Sequence, residues 1–393
     1  MISIEDRYFS LNRTLLLIVG LWYYQKSKIA QFHFICFFSV ILTSIIFQFT
    51  TFLTTKCTTT FVIEVLSIAS GFICLAIKYH SFCFKNETMR NLIQQLQHIY
   101  NNLKDSNEID IIERYGRNAK YYTVLITTLF VSSVFILLIV QMWPDIQQII
   151  SPSNKSRSYH LQISVEYFVD QEKYFYCLLV HVNAAVCIGL FAAAAIATML
   201  IAYFQYMCAM FTIASYRIEN TMKLLMFQDI IPENRNLIHK SIKNAVDIHR
   251  KAIEFSIHLT SKCEMSFLFL IIFGVMTISM NIFRFFQIAS STRNFVELSI
   301  SFIIGSICLL YMFIANFVGQ IVTDHYNYIY AAAYKIQWYI APLDIQKLIL
   351  ILIQRGNKNF GLTFGKLFVA SVQCFSTLAN ACLSYFTVMY SVQ

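Results

Sequence analysis

The sequence predicts an all-α, polytopic membrane protein with seven transmembrane helices, a cytoplasmic N-terminus and an extracellular C-terminus. Three observations predict it. Of the 393 residues, 57% are hydrophobic and only 13% are charged, where a soluble protein carries about 25% charged residues. Seven apolar stretches each reach the roughly 20 residues that a bilayer core requires. If the N-terminus is inside, every Lys and Arg falls on the cytoplasmic side except Lys56, Lys155, Arg157, Lys173, Arg284 and Arg293, as the positive-inside rule asks. The net charge of +9 is then a topological signal, helped by an anionic inner leaflet. It calls for a lipid bilayer and for no nucleic acid.

Residues 1–28 read as a cytoplasmic segment. They mix polar, charged and apolar residues and lack a small-residue cleavage site, so no cleavable signal peptide is expected. The spans are Ile29–Leu53, Phe61–Phe84, Tyr121–Met142, Cys177–Met210, Met265–Phe286, Val296–Gln320 and Thr363–Val392. The fourth and seventh exceed the bilayer and must tilt or project. Residues 29–320 thus hold six spans with their cytoplasmic extensions. Outer loops Thr54–Thr60 and Gln287–Phe295 are short, whereas Trp143–Tyr176 is long enough for a lid or collar. Two inner segments carry helical apolar faces, one through Met89, Leu92, Ile93, Leu96, Ile99, Tyr100 and Leu103, the other through Ile238, Ile242, Ala245, Val246, Ile253 and Ile257. They suit either a cytoplasmic assembly platform or an interfacial helix lying on the membrane. Within a cytoplasmic anchor at 321–362, Pro342–Arg355 reads as a short helix stopped by Gly356, with Gly356–Gly361 a hinge.

The final span, at 363–393, carries a polar stripe. Gln373, Thr377, Asn380, Ser384, Thr387 and Ser391 recur at three- and four-residue steps and fall within a sector of roughly 80°. Lipid cannot satisfy such groups, so the face meets protein or water. Ordinary helix packing and a pore lining both fit that pattern.

Other chemistry is sparse. No Gly-rich phosphate loop, nucleophile motif or paired Cys-x-x-Cys is present. His239, His249 and His258 lack ligand spacing, so no metal, no cofactor and no enzymatic activity are expected. Most of the eleven Cys lie within spans. Cys57 and Cys177 are the only pair near the outer face, and a disulfide there is open. Glu64, His181 and Asn183 sit near outer span ends, where they can be hydrated, and Glu64 or His181 could instead supply a pocket hydrogen bond. A G-protein-coupled receptor would place its N-terminus outside and end its third helix with an acidic–Arg–aromatic triplet inside. Here that span ends Gln141-Met142-Trp143-Pro144-Asp145. A transporter would show internal repeats and broken helices, and neither is visible.

From Val318 onward the chain resembles insect odorant receptors. The residues that carry the resemblance are Gly319-Gln320, Asp324, Trp338-Tyr339, Gln346-Lys347, Gly365-Lys366, Phe375 and Ser384-Tyr385-Phe386, with a weaker match at His249, Ile253 and Phe255. The short second cytoplasmic segment resembles a ligand-tuned subunit rather than the co-receptor. The resemblance implies a ligand-gated, non-selective cation channel. It implies a heterotetramer with co-receptor subunits and a pore lined by the seventh helix. It places the protein in the plasma membrane as a multi-pass protein of olfactory sensory dendrites. Registered on Tyr385-Phe386, it puts the pore and gate at Ser384, Val388, Ser391 and Val392, and assembly contacts at Gly319, Gln320, Trp338 and Tyr339. A gustatory-type channel would share this fold.

The implied ligand is a small hydrophobic odorant bound in the outer half of the bundle. Apolar and aromatic walls suit it, and the outer parts of spans two, three, four and six offer Ala69, Phe72, Ile73, Phe135, Leu138, Met142, Val182, Val186 and Phe302. Of the sequons at Asn12, Asn86 and Asn154, only Asn154 faces outward in this topology and would be glycosylated.

Overall fold

The computed structural model describes residues 4–22, 28–83, 86–150, 161, 163–227, 232–291, 295–335, 338–356, 360–365 and 367–391. Its helices, in order, are α1 (Ile4–Tyr8), α2 (Ser10–Ile18), α3 (Lys28–Phe49), α4 (Thr51–Thr54), α5 (Thr59–Cys83), α6 (Asn86–Asn101), α7 (Ser106–Ile150), α8 (Phe175–Phe227), α9 (Pro232–Ser291), α10 (Phe295–Lys335), α11 (Leu343–Gly356) and α12 (Val372–Ser391). A 3₁₀ turn, Trp338–Ile340, precedes α11, and a two-stranded hairpin, β1 (Thr363–Phe364) and β2 (Phe368–Val369), precedes α12.

Six helices among the described residues are long and apolar enough to span: Gln31–Thr54, Thr59–Cys83, Ser106–Trp143, Phe175–Thr221, Cys263–Ser290 and Phe295–Lys335. The seventh, α12, has the required 20 residues, but its polar stripe lowers its hydropathy. At 1.5 Å per residue the 60-residue α9 is about 90 Å long and the 53-residue α8 about 80 Å, against a bilayer core of about 30 Å. The surplus lies at one end of the bundle, here called basal, together with α1, α2, α6, α11 and the hairpin. The opposite, apical end carries the segment 163–174.

α8 is the hub, because its small residues let neighbours approach. Ala192 to Ala195 are all buried, and small side chains permit close helix contact. Basally, Tyr203, Tyr206, Met207, Phe211 and Ala214 of α8 join Ile242, Ala245 and Ala252 of α9 and Val322, Tyr326 and Ile329 of α10 in one large core. Arg217 forks onto Glu108 at 2.6 and 2.8 Å and donates to the Asn244 carbonyl, tying α8 to α7 and α9.

The N-terminal segment is part of that core, which its mixed composition does not predict. Phe9, Leu16 and Leu21 are fully buried, and Phe9 stacks on Tyr206 at 5.3 Å. Helix α2 ends because Gly20 takes a left-handed φ of 69°. Gly20 then donates to Leu17 and Leu21 to Leu16, a Schellman stop. The two apolar faces read on the inner segments also pack here, with Ile99, Tyr100, Leu103 and Val246 half-buried against the core and Ile257 exposed. α11 occupies the stretch expected to be helical, with Ile345, Ile349 and Leu352 inward.

The last span differs from expectation. Thr363–Phe364 and Phe368–Val369 pair as the hairpin, and the helix starts only at Val372. Gly365, with φ of 60°, makes the reversal between Phe364 and Phe368, a conformation costly for other residues. Ser371 then caps α12, accepting from the Cys374 N–H at 3.0 Å. The apical segment also starts later than expected, since α7 runs to Ile150. Ile163 and Val165 dip between helices onto Ile41, Phe72 and Val182, and Glu166 N–H donates to the Phe47 carbonyl at 2.8 Å.

His249 supplies a test of the basal core. It is 3% exposed, stacked on Tyr326 and beside Phe211 and Tyr330. Burial, with the Arg355 charge adding, pushes its imidazole down to about 4. The unfolded chain takes up this proton near pH 6.5 and the folded one only near 4. Stability is therefore full above that window and falls as pH drops through it, by about 3 kcal/mol at most. Thermal unfolding in detergent at pH 7 and pH 5 should show the loss in the wild type and a clearly smaller one in His249→Phe.

Candidate functional site

Two features could carry function: an internal cavity and the outward face of α12. The cavity holds about 180 Å³ and lies among α5, α7, α8, α9 and α10. Its walls are Ile68, Gly71, Phe72 and Leu75 of α5, Phe130, Leu137 and Gln141 of α7, Val186 and Leu190 of α8, and a long run of α10 from Ile300 to Asn316. Ile163 from the apical segment closes one end, and Phe364 and Cys374 reach it from the hairpin and α12. The walls are almost wholly apolar. Lys78, Gln141, Tyr311 and Asn316 are the polar exceptions with hydrogen-bonding side chains.

Of the nine residues expected at a ligand, Phe72 and Val186 line this cavity. Ala69 and Val182 are buried in neighbouring packing, and Ile73 and Leu138 are half-buried outside it. Phe135 and Phe302, each 61% exposed, and Met142 face outward. The face of α7 that meets the cavity is that of Phe130, Leu137 and Gln141, rotated from the face of Phe135, Leu138 and Met142. α7 is apolar all round within the span, so periodicity carries no signal of which side is inward.

Glu64 and His181, near the apical end, are partnered. Glu64 of α5 pairs with Arg284 of α9 at 3.1 Å and accepts from Ser164. Arg284 also reaches Glu297 of α10 at 3.7 Å, and its side chain is 6% exposed. His181 meets Tyr167 at 2.7 Å and Thr43 at 3.0 Å. Asn183 Oδ1 is buried without a partner. Cys57 and Cys177 are both free and exposed. No metal-binding cluster occurs among the described residues.

On α12, Leu378 and Cys382 are buried against Val275 and Ile278 of α9. Phe386 stacks on Phe286 of α9 at 5.2 Å, and Phe375 meets Phe313 of α10 edge-on at 5.2 Å. The opposite face is the polar stripe, and Gln373, Thr377, Asn380, Ser384, Thr387 and Ser391 are all exposed, as is Val388. Thr377, Ser384, Thr387 and Ser391 donate to carbonyls of their own helix, which leaves the Gln373 and Asn380 amides as the strongest unmet demand on that face. Val392 and Asn154 lie outside the described residues.

Gly319 is where α10 meets the start of α12. A Cβ there would lie 2.3 Å from the Ala370 Cβ, so only glycine permits the contact. Gln320 donates to Asp324 at 2.8 Å. Trp338 packs partly buried on the basal core, while Tyr339 is exposed. Gln346 holds the turn between them and α11 by donating to the Tyr339 and Ala341 carbonyls.

This architecture is found in solved structures. The insect olfactory receptor OR5 from Machilis hrabei, in complex with eugenol, superposes with a TM-score of 0.80 at 15% identity, covering 99% of each chain. A second structure of the same receptor matches with a TM-score of 0.78 at 13% identity, over 99% of this chain and 98% of that one. No curated protein matches the sequence. At such identity the superpositions establish the fold alone. The family model described as 7tm Odorant receptor matches residues 58–383, which takes in the cavity, the buried charge cluster and most of α12, and the chain therefore belongs to the insect odorant receptor family.

Proposed function

We propose that this receptor is the ligand-tuned subunit of a ligand-gated, non-selective cation channel, assembled with co-receptor subunits as a heterotetramer. A member of this receptor family is not an enzyme. The observation that carries the reading is the exposed polar stripe of α12 opposite its buried Leu378–Cys382 face. A face that lipid cannot satisfy is satisfied by water and by the same face of neighbouring subunits. Ser384, Val388, Ser391 and Val392 are then its pore and gate positions. The basal end is cytoplasmic and the apical end extracellular, as the Lys and Arg distribution favours, and Asn154 carries a glycan. Gly319, Gln320, Trp338 and Tyr339 belong to the assembly platform. The protein sits in the plasma membrane of olfactory neuron dendrites.

A small apolar odorant occupies the cavity, whose volume exceeds the roughly 150 Å³ of an engineered apolar cavity that binds benzene. Cys374 lines the cavity and begins the first turns of α12, so filling the cavity bears on the pore helix directly. Gly274 gives the test, because a Cβ added there meets no atom within 4 Å. Gly274→Leu should occupy that space. Currents recorded with the co-receptor across a broad odorant panel should lose ligand response, or shift it at least about tenfold, while co-receptor pull-down stays normal. Unchanged responses to every active odorant would remove the cavity from the account, and ligand-dependent current without the co-receptor would remove the heteromer.

A further inference from the structure

We propose that the cavity selects small apolar molecules carrying one hydroxyl group, held by a hydrogen bond to the amide of Gln141. The inference rests on the reading of the cavity as the ligand site and names the chemical class that the site prefers. Gln141 stands near the apical end of α7. Two residues on, Trp143 meets Phe295 at the start of α10, with ring centroids 6.4 Å apart. Gln141 therefore lines the apical end of the cavity, the end that Ile163 closes, in the outer half of the bundle. The residue as a whole is half-buried, but its amide oxygen is sealed from solvent and accepts no hydrogen bond.

The other polar wall groups lie towards the basal end. Lys78 is about 15 Å further along α5 than Ile68, and Asn316 about 24 Å further along α10 than Ile300, at 1.5 Å per residue. The apical walls around Gln141 are apolar, at Phe72, Leu137 and Val186 as well as Ile163 and Ile300. A sealed acceptor without a donor is costly. Water answers that demand poorly, because an ordered buried water makes about three hydrogen bonds and this end of the cavity offers one group. A ligand hydroxyl needs only that one. It donates to the amide oxygen, and with the amide turned over it accepts from the nitrogen, so the match holds for either orientation. A hydrocarbon or an ether has no donor and leaves the oxygen buried and unpaired. A second polar group on the ligand would lose its hydration against walls that cannot replace it.

The test uses the full-length receptor in nanodiscs, with binding read as thermal stabilisation against ligand concentration. The probes are two pairs matched in size: 1-hexanol with 1-methoxypentane, and benzyl alcohol with ethylbenzene. Wild type should bind at least one alcohol about tenfold more tightly than its match. Gln141→Met keeps the length of the side chain and removes the amide. It should bring each pair to within about twofold, by weakening the alcohol and leaving its match bound at least as well. Its unliganded unfolding midpoint should be no lower than that of wild type, since no hydrogen bond within the protein is lost with the amide oxygen. A wild type that binds neither alcohol better than its match overturns the proposal. So does an intact preference in Gln141→Met, or a lowered midpoint, which would mean that the amide is already bonded within the protein. The underlying cavity reading fails separately: Gly274→Leu would then leave all four probes binding as in wild type.

Discussion

Arg284→Met should cost the receptor about 3 kcal/mol or more of stability, a large fraction of what a folded protein has. Arg284 is the buried centre of an apical cluster, with Glu64 at 3.1 Å and Glu297 at 3.7 Å. Removing one partner of a buried ion pair leaves the other charge uncompensated, at about 3–5 kcal/mol. The two carboxylates are about a third exposed, which places the effect at the lower end. The cluster joins α5, α9 and α10 and, through Ser164, the apical segment. Two residues along α9, Phe286 stacks on Phe386 of α12, so loosening the cluster also frees the outer end of the stripe-bearing helix. Detergent-purified Arg284→Met should show a strongly reduced unfolding midpoint and a low folded yield. The triple variant Arg284→Met, Glu64→Gln, Glu297→Gln should recover most of the loss, because it removes the stranded charges as well. A single variant as stable as wild type would mean the cluster is solvated rather than buried.

This cluster shows what the sequence could and could not disclose. Glu64 stood out as an acidic residue in an apolar run, but its partner lies 220 positions away on another helix, and nothing local pairs them. The spans themselves were legible because each is a long apolar run, and α11 because Pro342 and Gly356 bracket a periodic stretch. Boundaries failed where backbone geometry decides. Thr363–Val369 reads as part of a span until Gly365 turns left-handed and folds it into a hairpin. The burial of the N-terminal segment is hidden in the sequence, because its polar residues dilute the apolar signal. Its buried Phe9, Leu16 and Leu21 are few but large. Of the aromatic and aliphatic residues expected at a ligand, Phe72 and Val186 line the cavity, and Ala69 and Val182 are buried beside it. A helix with no polar side hides its rotation, so lipid-facing Phe135 and cavity-facing Leu137 look alike in sequence. α12 is the contrasting case, since its polar residues recur at helical spacing and all of them are exposed opposite the buried Leu378 and Cys382.

Val388 is the place to test whether this polar face of α12 lines the ion path. Val388 is 59% exposed and lies about 40° from Ser384 round the helix. It is the apolar member of the polar face, suited to a constriction that stops ions by excluding water. Met389, about 100° further round, falls on the side of the buried Cys382 and is half-buried. Val388→Ser should wet the constriction, raise ligand-free current or change ion preference, and keep the rank order of odorants, because the cavity is untouched. In the proposed heteromer, co-receptor subunits would contribute their own residues to the ring, so the expected change is graded rather than complete. Met389→Ser should alter stability more than conduction. The decisive measurement is whole-cell current of each variant co-expressed with the co-receptor, with and without odorant. Higher leak or altered ion preference in Val388→Ser but not in Met389→Ser is the expected result. A Val388→Ser channel that assembles and responds with unaltered leak, conductance and ion preference would contradict a pore lined by this face.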